Sequence, residues 1–455
     1  MESRKFHFSS ALTPQGWLSD VTVAVDAQGM ISSVATGAGE GAERLSGIAV
    51  PAMPNVHSHA HQRFMLGLAE RAGPGADSFW TWREAMYGFA LRLSPEDLEA
   101  VAAQLYVEML KSGFSVVGEF QYLHHQPDGT PYADPAEMSL RCFAAAQHAG
   151  IGITILPTLY AFGGFGGQDP VAGQRRFVNT AERFLKIVDN LSIQAGGNAL
   201  RHVGISPHSL RAVTPELLRE VIAALPPDAP IHVHVAEQVK EVEDCLAFSG
   251  RRPAELLMQH FDLSDRWTAI HATHMTSAET AALARSGAIA GLCPTTEANL
   301  GDGIFPATGF MGQGGAIAIG SDSHITVSPA EDLRVLEYSQ RLRDLTRNAL
   351  AGGPGRSTGR SLYDAALKGG ARSMRQPVGA IAPGLRADIT VLDAGHPLLA
   401  GRSEDAALDT WIFSGGNALV KDVIVGGAQV VKDRHHIHEE TIARNFRAAL
   451  RRLDT

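Results

Sequence analysis

Between residues 48 and 321, short apolar, β-rich runs alternate with helical stretches eight times. The runs fall at 48–56, 115–120, 152–159, 202–206, 230–235, 268–272, 288–293 and 316–321. Between them, Ser94-Pro95, Asp134-Pro135, Thr214-Pro215 and Ser328-Pro329 each set a capping residue before a proline suited to the first helical position. Such an alternation demands a parallel sheet with helical crossovers, and eight repeats point to a (β/α)8 TIM-like barrel. An open doubly wound sheet has the same local pattern. The helix predicted at 361–374 ends the barrel, which is assigned residues 51–375. Residues 1–50 and 376–455 read as two parts of a small β-sandwich-like domain built from both chain ends. Residues 20–25 alternate before a turn, residues 387–392 and 423–431 are strand-like, and residues 439–453 form an amphipathic C-terminal helix.

Histidines and acids gather at the C-terminal ends of these strands, the face on which barrels build their active sites. NVHSH (55–59) puts His57 and His59 on one face of a strand. IHVHVAE (231–237) offers His234 as a ligand and Glu237 as a nearby carboxylate; His232 shares the face of His234, which lies nearer the rim. IHATH (270–274) supplies His271 to orient water or substrate, and IAIGSDS (317–323) supplies Asp322, able to bind metal and accept a proton. Three neutral histidines and one carboxylate suit one zinc ion with a position left for water, or another divalent metal such as iron.

Charge and cysteine content limit the partners. The net charge is −9 with no basic block, which disfavours nucleic acid. An acidic substrate therefore needs local arginines. Three scattered cysteines fit a reducing cytoplasm, and the sequence has no signal-like segment or apolar run of membrane length. Gly163 to Gly167 lacks the lysine of a phosphate loop and reads as a mobile segment.

The order HxH, HxxE, H, D, with residues 379–393 (GAIAPGLRADITVLD) as a return to the small domain, resembles the amidohydrolase superfamily. Two-metal members carry a lysine at the fourth strand end. Here that region is ISPHSLR (205–211), so the resemblance implies the one-metal, deaminase-like branch. MPNVHSH (53–59) with Gln62-Arg63, FWTWREAMY (79–87), GEFQYLH (118–124) and residues 206–213 are similar to the formimidoylglutamate deiminase family. The resemblance implies hydrolysis of N-formimino-L-glutamate to N-formyl-L-glutamate and ammonia, in histidine degradation, and a homodimer. Its implied site has Glu237, His271 and Asp322 as catalytic residues and His57, His59, His234 and Asp322 on the metal. A dicarboxylate substrate needs charge-assisted donors. Arg83 and Arg211 are expected to hold its two carboxylates, assisted by Gln62, Tyr122 and His208, with Arg63 structural. His61, where an apolar or aromatic residue is expected, is not expected to alter the chemistry. Two other functions compete: a deaminase of an aminated purine, pyrimidine or triazine on the same scaffold, and a non-catalytic barrel.

Overall fold

A computed structural model describes residues 2–71 and 79–453. The chain begins with β1 (Arg4–Thr13), β2 (Gly16–Val25), β3 (Ile31–Thr36) and β4 (Glu43–Pro51). Inward residues such as Phe6, Phe8, Val21 and Val23 are buried. The chain then crosses at Ala52 into β5 (Met53–Ser58), where Ala52 N donates to Asp388 O at 3.0 Å and Met53 N to Gly113 O at 3.0 Å. The run expected at 48–56 is therefore two strands in two sheets. Pro51 and Pro54 lack the N–H that one continuous ladder requires.

β5 is followed by β6 (Phe114–Gln121), β7 (Gly152–Leu159), β8 (Arg201–Val203) and β9 (Ser206–Pro207), parallel to one another. A second parallel sheet holds β10 (Ile231–Val235), β11 (Trp267–His271), β12 (Ile289–Leu292) and β13 (Ala316–Ile319). Every residue of β5, β6, β7, β10, β11 and β12 is buried, as expected of parallel strands covered on both faces. The fourth predicted strand is interrupted between β8 and β9. Parallel bridges link the sheets, Ile205 to Ile231 and Ser209 to His234 on one side, Ser58 to Asp322 on the other. The last approach depends on Gly320, where a Cβ would come within 2.7 Å of His57 Cβ.

The chain returns through β14 (Ile389–Leu392), β15 (Val420–Val425), β16 (Ala428–Lys432) and β17 (His435–His436). These join β1–β4 in one sheet ordered β17-β16-β15-β14-β4-β1-β2-β3. Gly426 and Gly427 turn the β15–β16 hairpin with φ of 52° and 77°. The closing helix spans Glu439–Leu453. Ser94, Thr214 and Ser328 cap their helices as expected. Asp134 does not: it accepts Ala136 N at 2.8 Å in a turn, and the helix begins at Glu137. Among the described residues, no helix is long and apolar enough to cross a membrane.

Candidate active site

His57, His59, His234 and Asp322 meet where β5, β10 and β13 end. His57 Nε2 lies 3.0 Å from His234 Nε2, and Asp322 Oδ1 lies 3.3 Å from His57 Nε2 and 3.5 Å from His59 Nε2. His59 Nδ1 bonds to Phe120 O at 3.0 Å and His234 Nδ1 to His208 O at 2.8 Å. A carbonyl only accepts, so both Nδ1 atoms carry the proton and both Nε2 lone pairs face inward. Burial pushes all three imidazoles below their ordinary pKa; neighbouring histidines lower His57 and His234 further. They are thus neutral, the form that ligates. Buried lone pairs this close repel unless a cation or proton lies between them. Four donors around zinc, at about 2.0–2.1 Å, stand roughly 3.3 Å apart. The observed separations of 3.0–3.5 Å fit that donor set.

His232 is turned away. Its Nε2 bonds to Ser373 O at 3.1 Å inside the core.

Beside these four side chains stand Glu237 and His271. His271 Nε2 is 3.7 Å from both Glu237 Oε1 and Asp322 Oδ2, and its Nδ1 is 3.2 Å from Glu297 Oε1. Burial would lower the His271 pKa, but the Glu237 charge, the Glu297 hydrogen bond and Asp322 outweigh it and lift the group to about 10. Burial raises Glu237 to about 7, against the pull of His271 and Arg211. A carboxyl near 7 beside a protonated imidazole can both give and take a proton at neutral pH.

The sequence relationships agree with this geometry. The amidohydrolase family profile matches residues 48–430. The chain belongs to the amidohydrolase family. A formimidoylglutamate deiminase from Pseudomonas aeruginosa is 54% identical over 439 residues, 96% of each chain. The crystal structure of an amidohydrolase from Brucella melitensis is 50% identical, with a TM-score of 0.94 over 99% of this chain and 100% of that one. An adenosine deaminase from Xanthomonas campestris, solved with bound zinc, covers 99% of this chain and 98% of its own at 21% identity and a TM-score of 0.82, a likeness of fold.

Amidohydrolase chemistry needs room above these four side chains, and a cavity opens there. It is lined by Arg83, Arg211, Gln62, Tyr122 and His208 together with His59, His234, Glu237, His271 and Asp322. The Nε atoms of Arg83 and Arg211 are buried and have no hydrogen-bond partner, as does Gln62 Oε1. Gln62 Nε2 donates to Tyr122 OH at 3.1 Å. Arg63 lies outside the cavity, paired with Glu108 at 2.6 Å and donating to His324 O.

His61, which the sequence reading set aside, and three carboxylates that it passed over also stand at or beside this cluster. His61 is buried and bonds to Tyr122 OH at 2.8 Å, so it helps set which way that hydroxyl donates. Glu297 lies in the short helix Pro294–Leu300 directly after β12, and a carboxylate just past that strand end was the available signal. Glu241 accepts Ala236 N at 3.2 Å and Glu237 N at 3.0 Å, holding the turn that carries Glu237. Asp302, bonded to Gln238, is buried and lifted to about 8, by burial first and then by the charge of Glu237.

Proposed function

We propose that this chain hydrolyses N-formimino-L-glutamate to N-formyl-L-glutamate and ammonia. The observation that carries the reading is the pair Arg83 and Arg211, with buried, unpartnered Nε atoms in the cavity that holds the converged ligands. A dicarboxylate leaving water needs two such donors. The 54% identity to a formimidoylglutamate deiminase supports the same substrate. The scaffold we assign is one (β/α)8 barrel over residues 51–375, with residues 1–50 and 376–455 forming the small domain. The bridges at both junctions of the parallel sheets support closure.

His57, His59, His234 and Asp322 would hold one zinc ion or a comparable divalent metal. When bound, such an ion acidifies water towards a pKa of about 7 and polarises the carbon under attack. Asp322 takes the proton of the attacking water. His271, charged and held by Glu297, donates from Nε2 towards the charge developing at the reacting carbon's substituents. Glu237 gives its proton to the imino nitrogen and regains one from the adduct's hydroxyl as the carbonyl forms; the proton held by Asp322 completes the ammonia, which leaves as the C–N bond breaks and the carbon becomes a formyl group. Arg83 and Arg211 fix the glutamate end, with Tyr122, Gln62 and His208 assisting.

The aromatic walls formed by Phe79, Trp82, Tyr87, Tyr160 and Phe177 would also suit a heterocycle, which keeps a ring deaminase as the second reading. Ammonia release from formiminoglutamate, from its analogue lacking one carboxylate, and from aminated purines, pyrimidines and triazines separates them. Formiminoglutamate should be favoured over the one-carboxylate analogue by at least about tenfold in kcat/KM, since a removed charge partner costs about 2–5 kcal/mol. Equal turnover of those two, or faster turnover of a ring, overturns the proposal.

A further inference from the structure

Arg83 and Arg211 line two compartments. Outside the reaction cavity lies a wider, more open recess, and the same two arginines form the boundary, joined by Trp80, Gln168, Lys240 and Asp244. Three cations surround the Trp80 indole. Arg83 Cζ is 4.5 Å from a ring centroid, and Arg211 Cζ and Lys240 Nζ are each 5.9 Å away. Lys240 is the outermost, with 55% of its side chain exposed, and both oxygens of Asp244 hold it, at 2.8 and 2.9 Å.

This pair serves its helix, Val239–Ser249, only weakly. A lysine in the first turn opposes the macrodipole, and a Lys-to-Asp pair four residues apart runs in the weaker direction. The reverse arrangement would stabilise the helix better. What the pair does is hold one positive charge over the mouth of the path. The chain as a whole carries −9, a field that repels an anion, so capture of a dicarboxylate depends on local positive charge. Among the described residues, the recess presents Arg83, Arg211 and Lys240 against Asp244, and Glu84 stands 3.7 Å from Arg83 with 69% of its side chain exposed. Along the lining of the recess the balance is positive, while Glu241 and Glu237 act on Arg211 from outside that lining. The Lys240 charge is either returned to Asp244 or lent to an arriving carboxylate.

We propose that the recess over Trp80 is a carboxylate-capture subsite, in which Lys240 is the first donor, Asp244 its internal competitor, and Arg83 and Arg211 the next stations inward. This rests on reading the substrate as a dicarboxylate. The test uses Lys240→Gln and Asp244→Asn in the full-length, metal-loaded protein. Glutarate binding is measured by calorimetry, alongside kcat and KM for formiminoglutamate, between about 0.01 M and about 1 M salt. Over that range the screening length falls from about 30 Å to about 3 Å. At low salt K240Q should weaken glutarate binding and lower kcat/KM by about threefold, while D244N raises both by about twofold; kcat should hold, and both differences should vanish at high salt. A shared direction in the two variants, no change in either, or effects that persist at high salt overturn the subsite. If glutarate obeys the opposite-sign pattern while formiminoglutamate is not hydrolysed, the subsite stands and the substrate reading falls.

Discussion

What sets His234 apart from His232 is the partner that each ring nitrogen finds. His234 and His232 sit on the same face of one strand, yet His234 is tied through Nδ1 to His208 O while His232 bonds through Nε2 to Ser373 O. The first directs Nε2 to His57, and the second spends Nε2 on Ser373 in the core, leaving its buried Nδ1 without a partner. His234→Ala should therefore abolish metal content, measured by elemental analysis, and activity with it. His232→Gln, whose amide can reproduce the Nε2 donor, should keep both. A metal-replete H234A protein contradicts the ligand set. Glu237 separates chemistry from binding in the same way. It lies 3.7 Å from His271 and is not among the converging metal donors. Glu237→Gln should retain metal and lose roughly 10²-fold or more in kcat, the usual share of general acid–base catalysis. Turnover within a few-fold of the unmodified enzyme removes Glu237 from the proton path.

The strand ends that carry these residues are strained. Ala236, His271, Ala272, Asp322 and His324 all have positive φ, from 44° to 66°, without being glycine. Such residues cost of order 1–3 kcal/mol each and persist where surrounding bonds hold them. At Ala236 the holding group is Glu241, whose two oxygens take consecutive backbone N–H groups. Glu241→Gln keeps the shape but removes one acceptor, so unfolding free energy should drop by about 1–3 kcal/mol. The Glu237 carboxyl should lose its position, with kcat about tenfold lower, metal content unchanged and KM little moved. Unaltered kcat and stability would mean that the turn holds itself. This level explains what the sequence could reveal. Apolar runs and period-two alternation mark His57, His59, His234 and Asp322 as strand-end residues. Nothing in the sequence announces a left-handed alanine, histidine or aspartate, so the carboxylates that brace them, Glu241 and Glu297, stay hidden. Asp134-Pro135 misleads for a related reason, because aspartate before proline serves a turn as readily as a helix start. The sequence joined the two chain ends in one small β domain but suggested a sandwich; they form one eight-stranded sheet, whose order depends on β14 pairing with β4 from the far end of the chain.

For the whole molecule, buried histidines couple stability to pH with a definite sign. Burial holds His124 at about 3 and His232 at about 4, against 6.5 for a free imidazole, despite hydrogen bonds to Thr158 O and Ser373 O that raise them. Between pH 6.5 and those values the unfolded chain binds protons that the folded chain refuses. Stability from these two groups is complete above about pH 6.5 and is lost as pH falls. His57, His61, His208, His234 and His324 are also pushed well down by burial and add in the same direction. His271 has the opposite sign: raised to about 10, it contributes stability that is present below pH 6.5 and is lost as pH rises towards 10. The chelator-treated protein should therefore be most stable near neutrality and weaken on both sides, more steeply in acid where several groups act together. One residue isolates the acid limb. His124 Nε2 bonds to Thr158 O at 2.8 Å, and a glutamine amide can make that bond without taking up a proton. Each pKa unit is worth about 1.4 kcal/mol, so His124→Gln should remove about 2 kcal/mol of the stability lost between pH 7 and pH 5. Urea unfolding at fixed pH measures the difference. An H124Q slope equal to that of the unmodified protein would mean that His124 takes up its proton in the folded state as readily as in the unfolded one.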